Sequence, residues 1–334
     1  MLTNTSNFPF FIFSCGRSGS SLLSRILNSH NKIAVPYESH LFNTFYPWLK
    51  YYGDLEDKRN LIRIVNDILS TDVLNDFSPR LNSKEVIDSI EKSDFGGIVE
   101  SVLSCWAKSQ NKQRWGEKTP KHLYFWRQIL KYFPNAKFIH MVRDGRDVAL
   151  SWIRARFGPK TIFAAAEAWI KYLDKIAEIK VFDDSILYEV RYEDLLEDPE
   201  EILRKLCEFL EEDYSPKMLE FYKDKTPYKT DKTNLINLAM PLLKDNKAKW
   251  KIEMTHNDLR IFEFFAKNHL QKYGYELGLK QPFLGKTEIL FRQFIEHPPR
   301  KLLSMTANRK GHRDAYIRFK IFLRLILLDR FIYK

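Results

Sequence analysis

Apolar positions along most of the chain fall into two alternating patterns. Short apolar runs predict strands at residues 9–13, 32–35 and 136–142, the last nearly continuous, and SILYEVRYEDL at 185–195 predicts another strand that ends in a polar loop. Between these runs, apolar residues recur at the spacing of amphipathic helices. Strands that alternate with helices predict an α/β fold with a central, mostly parallel sheet flanked by helices.

Polar stretches mark the expected turns and loops. The segment RWGEKTPKH, residues 114–122, predicts a turn, with Pro120 in the first turn of the next helix. The lysine-rich stretch 224–251 predicts a mobile loop that covers the ligand site. Because ligands of parallel sheets bind beyond the carboxyl ends of the strands, we expect the loops at 14–21, 36–40 and 143–151 to converge.

The first of these loops, SCGRSGSSLLS over residues 14–24, has the composition of an anion-binding turn. Gly16 and Gly19 permit tight turns, and a helix that starts near Ser20 directs free N–H groups and its positive dipole end at an anion. Ser20 and Ser21 add hydroxyl donors. The plainer alternative is an ordinary turn in which Ser20 only caps the helix.

The loop lacks the lysine of a phosphate-transferring P-loop. That motif reads GxxxxGK[ST], and its lysine reaches the outer phosphates while its hydroxyl binds magnesium. The strand at 136–142 also ends in Arg143, where an aspartate would hold the metal ion. Both departures weigh against the alternative of a nucleotide-dependent kinase and favour anion binding without a metal.

Charge and composition narrow the class of partner. The 334 residues include 54 Lys and Arg against 43 Asp and Glu, a formal net charge of +11, so we expect an anionic partner. A non-catalytic nucleic-acid-binding protein is a second alternative, but the tryptophans form no basic and aromatic stripe, and we expect no nucleic acid. The eight histidines lack paired ligand spacing, so we expect no metal site.

The cysteines and the N-terminus bear on location. Cys15, Cys105 and Cys207 are odd in number and far apart, which argues against a disulfide framework and favours a reducing compartment. The stretch MLTNTSNFPFFIFS has no Lys or Arg before its short apolar run, unlike a signal peptide or a membrane anchor. We therefore expect a cytoplasmic protein.

Two separated motifs carry a resemblance to a known family. The loop GRSGSSLL and the segment FIHMVRDGRDVALSW, residues 138–152, closely resemble the signature regions of sulfotransferases that use 3′-phosphoadenosine 5′-phosphosulfate. The order of elements extends the resemblance over residues 8–278. It implies a P-loop-like sulfotransferase architecture and an O-sulfotransferase that moves the sulfuryl group of this donor to an acceptor hydroxyl. Side-chain cations can stabilise that transfer without a divalent ion.

The resemblance also implies donor-binding residues. Six positions match the loop for the 5′-phosphosulfate: Arg17, Ser18, Gly19, Ser20, Ser21 and Leu22. Arg143 and Ser151, eight positions later, match the pair that binds the 3′-phosphate. Tyr192 in VRYEDL is implied as an adenine or site contact, with packing as its alternative. Lys249 in KAKWK matches a late basic loop that meets the 3′-phosphate, although Ala248 replaces the usual serine.

Catalytic residues follow from the same comparison. The segment EKTP, residues 117–120, resembles tyrosylprotein and related bacterial sulfotransferases and places Lys118 beside the bridging oxygen of the donor. There Lys118 and Arg17 would stabilise the sulfuryl group and the leaving phosphate. Glu38 lies 21 positions after Arg17, where the tyrosylprotein branch carries its catalytic base. His40 is the competing base.

The end of the chain differs from the rest. We expect a sulfotransferase domain over residues 1–278 and a basic helical extension over 279–334, with HPPRK at 297–301 as a break in the helices. The extension either contacts an anionic membrane as a peripheral helix or packs on the main domain or on a second subunit. The expected acceptor is a saccharide or glycolipid, with small molecules and tyrosine as alternatives, and the oligomeric state is open.

Overall fold

A five-stranded sheet forms the centre of the molecule. The computed structural model describes residues 8–155, 157–223, 236–306 and 309–332. The strands are β1 Phe10–Ser14, β2 Ile33–Ala34, β3 Arg114–Glu117, β4 Lys137–Val142 and β5 Leu187–Arg191. Their order is β2-β3-β1-β4-β5, and every paired neighbour is parallel. The predicted α/β class is therefore confirmed.

Helices connect the strands and cover both faces of the sheet. The α-helices of the main part are α1 Ser20–Asn28, α2 Leu41–Thr44, α3 Lys58–Ser70, α4 Asp72–Asn75, α5 Ser83–Asp88, α6 Phe95–Ser109, α7 Trp126–Tyr132, α8 Gly145–Arg154, α9 Ile162–Phe182, α10 Tyr192–Glu197, α11 Pro199–Phe209, α12 Trp250–Glu253 and α13 His256–Lys272. Those of the C-terminal part are α14 Lys286–Phe291, α15 His297–Thr306 and α16 Arg309–Ile332. Short 3-10 helices lie at Tyr46–Tyr51, Pro120–Phe125, Asp184–Ile186, Pro216–Lys223 and Ile236–Ala239.

The run FFIF in β1 is buried on both sides of the sheet. Phe10 and Ile12 face one hydrophobic core, while Phe11 and Phe13 face a second, larger one. This double burial explains why the strand reads as a continuous apolar run instead of an alternating one.

The prediction of a turn over residues 114–122 was wrong in its first half, because β3 lies between β2 and β1 in the sheet. β3 begins with Arg114 and ends with Glu117, and both charged residues are buried. Arg114 donates to Glu212 at 3.2 Å and to the Leu210 carbonyl. Gly116 is required since a Cβ there would lie 2.2 Å from the Phe10 ring. Neither feature is visible in local periodicity.

The predicted break at 297–301 was also wrong. α14, a π-helical turn over Arg292–Glu296 and α15 follow one another without interruption. Pro298 and Pro299 follow directly after the π-helical turn, where the register of the backbone hydrogen bonds changes. The backbone N–H groups that these prolines lack therefore do not end the helix.

The predicted mobile loop at 224–251 lies partly outside the described residues, since 224–235 are not among them. Its described part contains the 3-10 helix Ile236–Ala239 and leads into α12. In the described part of the chain, no helix combines the length and apolar character needed to cross a bilayer.

Candidate active site

The glycine loop is a strained turn between β1 and α1. Gly19 has φ +97°, and a Cβ there would come within 2.5 Å of the Tyr192 ring, so only glycine fits. Arg17 also has a left-handed backbone, at φ 72°. Ser20 does not cap the helix, since the N-cap residue is Gly19, and its Oγ instead accepts a hydrogen bond from Ser14 Oγ at 2.7 Å.

A lysine and a glutamate form an ion pair at the end of β3. Lys118 follows this strand, is fully buried, and donates from Nζ to Glu38 Oε1 at 2.7 Å. The same Nζ lies 3.3 Å from Ser21 Oγ in the glycine loop. His40 Nε2 lies 3.2 Å from the other carboxylate oxygen of Glu38. Ser21, Glu38, His40 and Lys118 therefore form one cluster, which we call the acid–base corner.

Charge pairing sets the protonation state of Glu38. Burial opposes ionisation of this carboxyl, but Lys118 and His40 outweigh it and hold the pKa of Glu38 well below its ordinary value. The His40 ring also contacts Asn43 Oδ1 through Nδ1, at 3.2 Å. Glu38 is thus a carboxylate with a cationic partner on one oxygen and an imidazole on the other.

A buried network behind the corner holds its loop in place. Glu117 Oε1 accepts from Ser39 Oγ at 2.7 Å and from Thr119 Oγ1 at 2.6 Å, and Oε2 lies 2.8 Å from His122 Nδ1. His122 Nε2 accepts from the Phe42 backbone N–H at 3.2 Å, which assigns the ring proton to Nδ1, the ring nitrogen nearer to Glu117.

Glu117 is ionised at neutral pH in this network. Burial raises the pKa of Glu117, but His122 and the hydroxyls of Thr119 and Ser39 outweigh that effect and lower it to about 2. Sequence reasoning missed the roles of Glu117 and His122, although both lie within the RWGEKTPKH segment. Their spacing resembles no ligand or catalytic pattern, so the sequence offered no signal for them.

Basic side chains surround a cleft next to this corner. Arg17 Nε donates to Ser151 Oγ at 2.9 Å, and an Arg143 terminal nitrogen lies 3.0 Å from the Asn246 carbonyl. The cleft has a volume of about 240 Å³. Its lining residues are Arg17, Arg143, Asp147, Leu150, Ser151, Arg154, Ala155, Asn246, Lys249 and Glu253. We call it the cation cleft.

The positive charge of the cation cleft is only partly compensated by neighbouring groups. Burial and the neighbouring Arg143 charge both lower the pKa of Arg17, so two guanidinium groups oppose each other there. Among the described residues, neither Arg143 Nε nor the buried Ser18 Oγ has a hydrogen-bond partner. Asp147 contacts Arg143 at 3.4 Å but compensates only part of this charge. An anion in the cleft would offer an acceptor to Arg143, which lines it.

Packing and hydrogen bonds position two further predicted residues, Tyr192 and Lys249. Tyr192 lies between Gly19 and Arg143, with the Arg143 guanidinium 4.4 Å from its ring centroid, and its hydroxyl accepts from Asn246 Nδ2 at 2.7 Å. Lys249 lines the cleft because Asp147 Oδ1 binds the backbone N–H of the next residue, Trp250, at 2.9 Å.

Four predicted donor-binding residues line the cleft: Arg17, Arg143, Ser151 and Lys249. Six are not among its lining residues: Ser18, Gly19, Ser20, Ser21, Leu22 and Tyr192. Of these, Leu22 packs against Leu238. No described His, Cys, Asp or Glu side chains cluster in threes as metal ligands would. The absence of a metal from the reaction remains a prediction.

The parallel sheet, its glycine loop and the basic cleft beside them define an α/β protein with a cation-rich cleft at the carboxyl ends of its strands, where ligands of such sheets bind. Residues 9–216 match the model of the Sulfotransferase family. The chain belongs to this family, and the resemblance read from its two motifs is confirmed.

Individual relatives agree with this assignment. An uncharacterized protein of Aquifex aeolicus is 29% identical over 74% of this chain, and the omega-hydroxy-beta-dihydromenaquinone-9 sulfotransferase of Mycobacterium tuberculosis is 33% identical over 35% of it. The matches span only 31% and 35% of the lengths of those two proteins. A putative protein-tyrosine sulfotransferase of Caenorhabditis briggsae is 25% identical over 65% of this chain and 71% of its own length.

Solved structures share the fold. The sulfotransferase domain of the Synechococcus PCC 7002 olefin synthase superposes with a TM-score of 0.55 at 24% identity, over 77% of this chain and 94% of that domain. A sulfotransferase domain from the curacin biosynthetic pathway gives 0.54 at 21% identity, over 81% and 100%.

Proposed function

We propose that this protein transfers the sulfuryl group of 3′-phosphoadenosine 5′-phosphosulfate to the hydroxyl of an acceptor. The observation that carries the proposal is the contact of Lys118 with both Glu38 and Ser21. It joins a proton acceptor and a buried cation to the anion-binding turn. The donor carries about four negative charges, which suits the excess of cations in the adjoining cleft.

Residues of the cation cleft would hold the donor. Arg143, Ser151 and Lys249 bind the 3′-phosphate, and the loop from Arg17 to Ser21 binds the 5′-phosphosulfate. The buried, unpartnered Arg143 Nε and Ser18 Oγ among the described residues support this arrangement, since each gains a partner from a phosphate or sulfate oxygen. Tyr192 supports Arg143 and the loop through packing.

Proton transfer is assigned to the acid–base corner. Glu38 takes the proton of the acceptor hydroxyl as its oxygen bonds to sulfur, and the bond from sulfur to the bridging phosphate oxygen breaks. The electron pair of that bond leaves with adenosine 3′,5′-bisphosphate. Lys118 and Arg17 stabilise the charge that develops there.

In this scheme Lys118 interacts first with Glu38 and then with the leaving phosphate. A carboxylate whose pKa lies far below its ordinary value is a weak base. When Lys118 turns from Glu38 to the leaving phosphate, Glu38 loses its counter-ion and its pKa rises. The cation that stabilises the leaving group therefore also releases the base, and Glu38 is favoured over His40 because it contacts Lys118 directly.

For the acceptor, we propose the reacting group, a hydroxyl, and not one compound. The mycobacterial relative is named for a menaquinone derivative and the nematode relative for protein tyrosine, and both groups present a hydroxyl. We retain a hydroxyl-bearing acceptor, with saccharides and glycolipids as the first compounds to test. A cytoplasmic location stays a prediction that rests on the scattered cysteines.

The test is transfer of radiolabel from the donor to a panel of saccharide, lipid, phenolic and peptide alcohols. We expect labelled product with at least one class and tight calorimetric binding of adenosine 3′,5′-bisphosphate without magnesium. Stronger, magnesium-dependent binding of ATP would establish the kinase alternative instead. Salt-sensitive RNA binding that the bisphosphate does not affect would establish the nucleic-acid alternative.

A further inference from the structure

The C-terminal helix α16 packs on the main domain by one of its faces. Ile321 and Leu325 are buried in the larger core. Phe322 lies against Trp48, with ring centroids 5.5 Å apart. Arg324 pairs with the buried Asp67 of α3. Over residues 313–327, whose side chains the structure describes, the inner face of α16 is thus in contact with the main domain.

The opposite face of α16 is apolar and exposed. Tyr316, Phe319, Leu323 and Leu327 are 56%, 55%, 40% and 51% exposed. Their spacing of three and four residues places them on one side of the helix. Lys320 belongs to the same side, and its Nζ lies 4.6 Å from the Tyr316 ring centroid. We call these five residues the outer face of α16.

The net charge of the C-terminal extension indicates the kind of partner that this face can bind. Residues 279–334 contain 13 Lys and Arg and 4 Asp and Glu, against 54 and 43 in the whole chain. Most of the formal net charge of +11 therefore lies in this extension. On α16, Arg313, Arg318 and Arg324 pair with Asp72, Asp314 and Asp67, so Lys320 is the cation that the outer face itself presents among the described side chains. A lysine beside exposed aromatic and aliphatic side chains, in a net positive extension, is a combination that binds anionic lipid surfaces. Two copies of this face would instead bring like charges together.

We propose that the outer face of α16 docks on an anionic lipid bilayer as an interfacial helix. Its apolar side chains enter the boundary between headgroups and acyl chains, and Lys320 meets the lipid phosphates. Arg318 also binds Thr44 Oγ1 at 3.1 Å, and Thr44 ends α2, whose N-cap residue is His40. Docking would hold the acid–base corner close to the bilayer surface.

Flotation with vesicles tests the proposal without any need for enzymatic activity, so its failure is separate from failure of the proposed function. The full chain is mixed with phosphatidylcholine vesicles with or without about 30 mol % phosphatidylglycerol, at low and high salt. We expect binding to the anionic vesicles only, weakened by salt. The double variant Phe319→Gln with Leu323→Gln should reduce the partition coefficient at least about tenfold.

Matched variants make the result specific. Lys320→Glu leaves the apolar residues in place and should weaken binding to anionic vesicles by about fivefold or more. Val181→Gln alters a residue that is 89% exposed on α9 and should leave binding unchanged. Absence of binding, binding that these outer-face changes do not alter, or a dimer in sedimentation that the double variant dissociates would each overturn the proposal.

Discussion

The acid–base corner and the cation cleft lie side by side but satisfy their charges in different ways. In the corner, Lys118 and Glu38 pair at 2.7 Å, and Oε1 of the buried Glu117 behind them accepts two hydrogen bonds. In the cleft, Arg17 and Arg143 repel each other, and a guanidinium nitrogen is left without a partner among the described residues. The corner is complete without a ligand, whereas the cleft needs an anion to complete it.

The largest effect is expected in the corner. Glu38→Gln keeps the shape of the side chain but removes the proton acceptor, so turnover should fall by roughly 100- to 10,000-fold. Steady-state transfer of radiolabel measures this loss. Calorimetric affinity for adenosine 3′,5′-bisphosphate should stay within about threefold, because Glu38 does not line the cation cleft. Unchanged transfer would show that Glu38 is not the base and would redirect attention to His40.

A smaller effect is expected in the cleft. Arg143→Met removes a charged donor from the proposed 3′-phosphate site and should weaken bisphosphate binding by about 10- to 150-fold, or about 1.5–3 kcal/mol. Binding of adenosine 5′-phosphate, which lacks the 3′ group, should change far less. Calorimetry with the two nucleotides gives the ratio directly.

Arg154→Met is the matched control for this change. Arg154 lines the same cleft, but it is 60% exposed and pairs with Glu253 at 2.6 Å. Its loss should cost little, since exposed ion pairs contribute weakly. An equal loss of affinity in both variants would mean that the cleft acts as a diffuse positive surface with no defined phosphate position.

The two regions also differ in how far the sequence predicts them. Arg17, Arg143 and Ser151 were found because they stand in motifs next to long apolar runs, and the structure brings them into one cleft. The choice between Glu38 and His40 stayed open in the sequence because only the fold shows that both contact each other, at 3.2 Å. Their assigned roles remain predictions.

The network behind the corner could not be predicted for a physical reason. Glu117 and His122 contact other protein groups, and Arg114 binds residues almost a hundred positions away. Hydrophobic periodicity detects burial of apolar side chains, whereas these charged residues are buried because tertiary partners compensate them. For the same reason, the pattern of apolar residues predicted a turn where β3 lies.

Glu117 allows a pH test of this network. Glu117→Gln should lower the free energy of unfolding by about 1–3 kcal/mol at neutral pH, because buried donors lose a charged acceptor. The folded pKa of about 2 lies below the ordinary 4.5, so the stabilisation is present above pH 4.5 and is lost as the pH falls through 2. The difference between wild type and variant in urea unfolding should therefore shrink over that range.

Two further measurements separate positioning from stability. The exposed Glu276→Gln should show no such difference at any pH. At neutral pH and below the unfolding transition, Glu117→Gln should also lower kcat by about tenfold while the KM for the donor stays constant, since the network positions the corner and leaves the cleft alone. A rise in the KM for the donor with constant kcat would contradict the separation of the two regions.

The smallest expected effect concerns Tyr192→Phe, which retains the ring on Arg143 and removes only the hydroxyl. That hydroxyl accepts from Asn246 Nδ2 at 2.7 Å, and the Asn246 carbonyl in turn binds Arg143 at 3.0 Å. A net contribution of about 0.5–1.5 kcal/mol for a neutral hydrogen bond predicts a two- to twelvefold loss in calorimetric affinity for the bisphosphate. No change would mean that the ring alone positions Arg143. A loss as large as that of Arg143→Met would mean that the cleft, like the corner, depends on a preformed hydrogen-bond network, and the contrast between the two regions would disappear.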